Sequence, residues 1–318
     1  MKRICLGLLA VSVLLNHSFA AKKSSPKIEK AREGLVDAKK LKTGKPEPAK
    51  DPSLEQYAIF GKTAPYPGPG KPADTRLPLE LHKGEKICLV GNTLFDRAND
   101  MGHFETLLQQ AHAGLDLEVR NLSWSADEIF LQPRPDNFGT MDQHLTVQKA
   151  DVIFAAFGYN ESFAGKAGLA EFKDKLIKFL GAMKASAYNG KTGPRVVLVS
   201  PVANENVKGV RAGDLNNANI AAYTKAMAEA ARIAKVGFVN VFDATLRAMA
   251  NPQTDLTFNG AHMLENGYRV LGEALFKGAF KGKKLPELDE QIRQEVIEKN
   301  RQWFHRYRPL NTFYYTGG

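Results

Sequence analysis

The chain has 318 residues, 43% hydrophobic, 25% charged and 9% aromatic, the composition of an ordinary globular protein with one large or two small domains. Two cysteines, Cys5 and Cys88, exclude a disulfide framework, and a single long apolar run, at the N-terminus, excludes a polytopic membrane protein. The net charge of +10 sits mostly near the start: residues 21–50 hold ten Lys/Arg against four Asp/Glu, Lys2 and Arg3 add +2, and residues 51–318 keep about +2, so the basic balance is that of a tail and not of a nucleic-acid-binding face.

Lys2-Arg3, the apolar stretch Ile4 to Leu15 and the small residues of Ser18-Phe19-Ala20 predict a secretory signal peptide over residues 1–20, cut before Ala21. The expected location is periplasmic or secreted; the alternative is an uncleaved anchor. Cys5 opens the apolar stretch instead of closing it, which argues against lipidation. Residues 21–50 read as a basic disordered linker that either touches the anionic cell envelope or is a plain spacer. Residues 51–84, with Pro65, Pro67, Pro69 and Pro72, read as an extended lead-in.

From residue 85 a rhythm begins. Lys86–Gly91, Leu117–Leu122, Asp151–Phe157, Arg195–Ser200 and Gly237–Phe242 are short apolar runs without strict alternation, as expected of strands covered on both faces. Between them, Gly102–Ala113, Leu169–Tyr188, Asp214–Lys235 and Leu264–Phe280 repeat apolar residues at helical spacing. Cys88 lies inside the first strand and reads as a small buried hydrophobe. Strands alternating with helices predict an α/β fold over residues 85–280, a three-layer α/β/α domain with a doubly wound, mainly parallel sheet. Residues 281–318 form a C-terminal helix (285–308) and an aromatic tail. The basic-aromatic stretch Trp303–Arg308 is expected to pack over the domain edge or near a pocket mouth.

In such sheets ligands bind beyond the carboxyl ends of the strands. Those ends carry Gly91-Asn92-Thr93, Asn121-Leu122-Ser123-Trp124-Ser125, Gly158-Tyr159-Asn160-Glu161-Ser162 and Asn259-Gly260-Ala261-His262. Hydroxyls, amides and one late histidine are the groups that acyl transfer needs: a nucleophile, oxyanion donors and a proton carrier.

These blocks resemble, in order and placement, those of the SGNH hydrolases, also called GDSL-type esterases: Gly-Asp-Ser, Asn-x-Gly-x-x-Gly, Gly-x-Asn-Asp and Asp-x-x-His. The resemblance implies a flavodoxin-like SGNH fold and an esterase-type hydrolase. It puts Thr93 at the nucleophile, Ser123 at the oxyanion glycine, Asn160 at the oxyanion amide, His262 at the base and Asn259 at the residue that orients it. Gly267-Tyr268, in the helix after the histidine, also fits. Two positions depart from the pattern. Thr93 replaces Ser and crowds the attack with a β-branch. Asn259 replaces Asp and brings no negative charge for an imidazolium. Asp96, Asp243 and Asp255 are the carboxylates available to replace it.

Two readings follow. One is an exported hydrolase acting on ester bonds, with O-acyl groups of carbohydrates as the expected target. The other is a binding protein on the same fold with weak or no turnover. Plain structural roles stand beside each residue: Thr93 as a helix cap, Asn160 as a turn residue, His262 as a helix start, Ser162 as a cap. Trp124 either lines the pocket or packs in the core. The expected partner is a small-molecule or carbohydrate ester; no nucleic acid, metal or other cofactor is implied, and no His/Asp/Glu spacing resembles a zinc or calcium site.

Overall fold

The computed structural model describes residues 60–134, 138–251 and 254–308. The expected signal peptide, the basic linker, the first residues of the lead-in and the aromatic tail beyond residue 308 lie outside the described residues. Five strands, β1 (Lys86–Gly91), β2 (Glu118–Asn121), β3 (Val152–Ala156), β4 (Arg195–Val199) and β5 (Gly237–Val239), form one sheet in the order β2-β1-β3-β4-β5. Every pairing in it is parallel. The order reverses direction between β1 and β3, which is where a doubly wound sheet opens a crevice at its carboxyl edge.

Among the described residues from 93 onward the α-helices are α1 (Thr93–Asp96), α2 (His103–Ala111), α3 (Met141–Gln148), α4 (Gly165–Lys184), α5 (Ala212–Ala234), α6 (Phe242–Met249), α7 (Glu265–Ala279) and α8 (Glu290–Tyr307). The strands face two layers because successive side chains point to opposite faces. Ile87 and Leu89 pack with Phe104 and Leu108 of α2 and with Leu271 and Leu275 of α7. Cys88 and Val90 pack with Leu176 and Leu180 of α4 and Met227 of α5. Burial pushes the Cys88 thiol up to about 12, so it stays a neutral packing residue. Among the described residues no helix is long and apolar enough to cross a membrane.

Several element ends differ from the sequence reading. The fifth strand stops at Val239, not Phe242, because the Ser200 hydroxyl accepts the amides of Val241 (2.9 Å) and Phe242 (3.1 Å) and draws them out of the ladder. Phe242 then opens α6, a helix the sequence reading lacked. It also lacked α3, whose start is a full capping box between Thr140 and Gln143. The predicted 169–188 helix starts earlier and ends earlier, since Ser186-Ala187 pairs with Gly68-Pro69 of the lead-in. The long helix begins at Ala212, two residues before the predicted start, so Asp214 sits in its first turn.

Helix α8 covers the edge strand β2. Lys299, Trp303 and Tyr307, four residues apart along one face, donate to the carbonyls of Val119 (3.2 Å), Asn121 (2.7 Å) and Leu122 (3.1 Å). The aromatic-basic stretch thus satisfies backbone acceptors that an open edge would expose.

Candidate active site

Strand β1 ends at Gly91, with φ +139°; a Cβ there would stand 2.1 Å from the Ala156 carbonyl oxygen, so only glycine lets β1 press this close to β3. Asn92 follows. Its side-chain oxygen accepts the Leu94 amide at 3.1 Å and caps α1, and its own amide donates to Ala156 at 3.2 Å. The cap is therefore Asn92, and Thr93 is free to present a half-buried hydroxyl to the next loop. That hydroxyl oxygen accepts the backbone N–H of Ala126 at 3.2 Å.

The loop after β2 corrects one expectation. The Ser123 amide does not face the pocket; it donates to Asn121 Oδ1 at 3.0 Å, and the Ser123 side chain is buried. Its carbonyl accepts from Arg308 at 3.1 Å. The amide beside Thr93 belongs to Ala126, the sixth residue of the block that starts at Asn121, at the place of the second glycine in Asn-x-Gly-x-x-Gly. Ala126 has φ +67°, a left-handed conformation that glycine adopts without strain. Asp96 sets the turn: it accepts the Ser125 amide (3.1 Å) and hydroxyl (2.6 Å) and pairs with Arg308. Trp124 packs edge-on against Phe138, with the Arg308 guanidinium 3.7 Å from its ring centroid, away from the pocket lining.

Asn160 lies opposite. Its Nδ2 donates to the Ala126 carbonyl at 2.9 Å, so Thr93 and Asn160 hold the two sides of one residue, and a second N–H of the Asn160 amide is left for another acceptor. The half-buried Glu161 carboxylate accepts the amides of Gly158 (2.8 Å) and Ile129 (3.0 Å), fastening this loop to the one after β2. Burial pushes the Glu161 carboxyl up to about 7 against those hydrogen bonds.

His262 arrives on the segment before α7. Glu205, 4% exposed, holds that segment: its carboxylate accepts Leu256 N at 3.0 Å, Thr257 N at 2.7 Å and Thr257 Oγ1 at 2.7 Å. Thr257 Oγ1 in turn accepts the Gly260 amide at 3.0 Å. Asn259 Oδ1 accepts the amides of Ala261 (3.1 Å) and His262 (2.8 Å). Asn259 also meets His262 Nδ1, with Nδ2 at 3.0 Å and Oδ1 at 3.2 Å. Burial, and next the charge of Arg97, hold His262 below the ordinary histidine value, which keeps the imidazole neutral and able to take a proton. No carboxylate among the described residues contacts this ring. Asp96 is held by Ser125 and Arg308, Asp243 bonds Asn240 at the start of α6, and Asp255 bonds Asn266 only through its backbone carbonyl.

Thr93, Ala126, Asn160 and His262 line one cavity of about 230 Å³ at the carboxyl ends of the strands. Leu94, Phe157, Val202 and Met263 make much of its wall apolar, and it is smaller than a drug-sized pocket. Among the described residues no hydrogen bond joins Thr93 to His262 directly; catalytic contacts are often looser before substrate binds. A hydroxyl, an amide N–H, a side-chain amide and a neutral imidazole around a small apolar space can perform acyl transfer. Glu205, Ala126 and Arg308 were missed by sequence reasoning. Ala126 had a signal in its block, while the other two are distant in sequence from what they position.

Glu205→Ala is expected to lower stability by about 3–4 kcal/mol, since it leaves three buried donors without their charged acceptor. Chemical denaturation measures this; a loss below about 1 kcal/mol would show that the His262 segment holds itself.

The chain matches the GDSL-like Lipase/Acylhydrolase family over residues 90–270. No curated protein matches it. Similar solved structures include a catalytic mutant of an acetylxylan esterase from Geobacillus stearothermophilus, with 15% identity over 66% of this chain and 100% of that one and a TM-score of 0.49. A GDSL-like lipase from Parabacteroides merdae has 15% identity over 63% and 97%, with a TM-score of 0.49. The acetyl xylan esterase AlAXEase has 13% identity over 60% and 98%, with a TM-score of 0.46.

Proposed function

Because this chain belongs to the GDSL-like lipase/acylhydrolase family, we propose that it hydrolyses short-chain acyl esters of carbohydrates. The observation that carries this reading is the convergence of Thr93, Ala126, Asn160 and His262 on one small, largely apolar cavity. Thr93 Oγ1 attacks the ester carbonyl carbon and gives its proton to His262 Nε2. The oxyanion that forms takes the Ala126 N–H, now resting on Oγ1, and the second N–H of Asn160. Collapse breaks the C–O bond to the alcohol, which receives the proton from His262. Water, deprotonated by His262, then releases the acid from Thr93. The cavity volume favours acetyl or a similarly short acyl group. Exposed aromatic rings beside it, Phe163 packed on Tyr159 and Phe258 stacked on His262, suit the apolar faces of sugar rings.

Release of p-nitrophenol from the acetate ester and of acetate from acetylated xylo-oligosaccharides tests this. Turnover is expected to fall with acyl length and to vanish in His262→Ala. A second reading, a binding protein with little turnover, is favoured by one observation: Asn259 meets Nδ1 where a carboxylate would charge-stabilise the ring. Retained affinity for the deacetylated oligosaccharide without any turnover would establish it.

The same proposal places the protein outside the cytoplasm, on the strength of Lys2-Arg3, the apolar stretch to Leu15 and Ser18-Phe19-Ala20. Mass spectrometry of the mature protein is expected to find Ala21 first; a cytoplasmic chain that keeps Lys2 and Arg3 would overturn it.

A further inference from the structure

We propose that Arg97 forms a carboxylate-binding subsite beside the acyl pocket, so that the sugar esters this protein takes are esters of acidic sugars. The proposal rests on the ester-hydrolase reading above and narrows its substrate class. Arg97 stands four residues after Thr93, and its backbone N–H closes a helical turn on the Thr93 carbonyl, which sends the two side chains out on the same face, one turn apart. The guanidinium carbon lies 5.4 Å from the centroid of Phe258, whose ring is stacked on His262 at 5.6 Å. Its charge is felt by His262, and its side chain also hydrogen-bonds the Tyr268 hydroxyl; both residues are on the pocket wall.

Among the described residues no carboxylate forms an ion pair with Arg97, and its Nε is buried without a hydrogen-bond acceptor. The nearby acids do not fill this role. Asp96 is taken by Arg308 and Ser125, and Glu265 by Arg293. Asp100, whose carboxyl burial raises, feels the Arg97 charge without pairing with it. The neighbouring arginines Arg134, Arg293 and Arg308 each have a carboxylate partner. A cation with no carboxylate partner among the described residues, held by an aromatic ring next to a proton-accepting imidazole, works against the imidazolium that ester cleavage creates. An anion bound there reverses that effect and supplies, from the substrate, negative charge that Asn259 does not bring. One planar guanidinium offers one two-pronged fork, which matches a carboxylate.

Calorimetric titration with trigalacturonate and with neutral xylotriose tests this in the wild type, R97Q and R97K. Trigalacturonate is expected to bind the wild type at least tenfold tighter (about 1.4 kcal/mol). R97Q should bring the two sugars level, and R97K, which keeps the charge without the fork, should fall between. Binding is read without turnover, so the two proposals fail separately. A silent ester panel with the acidic preference intact would remove the hydrolase reading and keep the subsite. Equal affinity for both sugars in the wild type, or a preference that survives R97Q, would remove the subsite whatever the turnover.

Discussion

Thr93→Ala is expected to lower ester turnover by at least about 10³-fold, because removing one member of a catalytic unit costs nearly as much as removing all of it. The fold should be almost unaffected. The lost contact is a single 3.2 Å hydrogen bond from Ala126, an exposed residue whose N–H water can take over, so the stability change should stay within about 1 kcal/mol. Steady-state kinetics with p-nitrophenyl acetate, beside a thermal melt, checks both halves. Unchanged turnover would move the attack to another hydroxyl, and the structure makes Ser125 and Ser162 poor alternatives. Ser125 Oγ donates to Asp96 at 2.6 Å, and the buried Ser162 donates to the Tyr159 carbonyl at 2.6 Å; neither lines the pocket. Thr93→Ser keeps the hydroxyl and removes the β-branch that stiffens χ1.

Asn259→Asp is expected to raise kcat by about tenfold, equivalent to about 1.4 kcal/mol of barrier. The present geometry gives two reasons. Asn259 Oδ1 is held by the amides of Ala261 and His262, and His262 Nδ1 lies 3.0 Å from its Nδ2 and 3.2 Å from its Oδ1, so the Asn side chain can serve either ring tautomer. Only the tautomer with its proton on Nδ1 leaves Nε2 open to take the Thr93 proton, and Asn259 does not select it. A carboxylate accepts only, turns the ring to the Nδ1–H form and stabilises the imidazolium. In the serine-protease case the reverse change costs about 10⁴ in kcat; the gain here is smaller because Thr93 remains crowded. The double variant with Thr93→Ser should exceed either single one, as members of one unit are not additive. If the double variant folds and hydrolyses nothing on a broad ester panel, the cavity is a binding site.

The sequence by itself determined the layered α/β architecture. Its apolar runs lack alternation because both faces of the sheet are covered, and its helical repeats fall between them in an order that only a parallel sheet accommodates. It also determined where chemistry could gather, since strand ends in such a sheet share one edge and Gly91, Asn160 and His262 each follow or close a strand–helix unit. Membership in the family was legible for the same reason, through short blocks in a fixed order. What it did not determine was the direction in which each group points. Ser123 and Ala126 both carry an amide within one block, and only the side chains of Asn121 and Asp96 decide that Ser123 turns inward and Ala126 turns to Thr93. The strand that should have run to Phe242 was cut short by a hydroxyl from a neighbouring strand end, Ser200. Glu205 fixes the His262 segment from about fifty residues away, and Arg308 steadies the Ser125 turn across 212 positions of chain through Asp96. Local pattern sets which residues are buried and which element they join. The hydrogen bonds that aim a catalytic group connect residues far apart in sequence, and those partners meet only when the layers are packed.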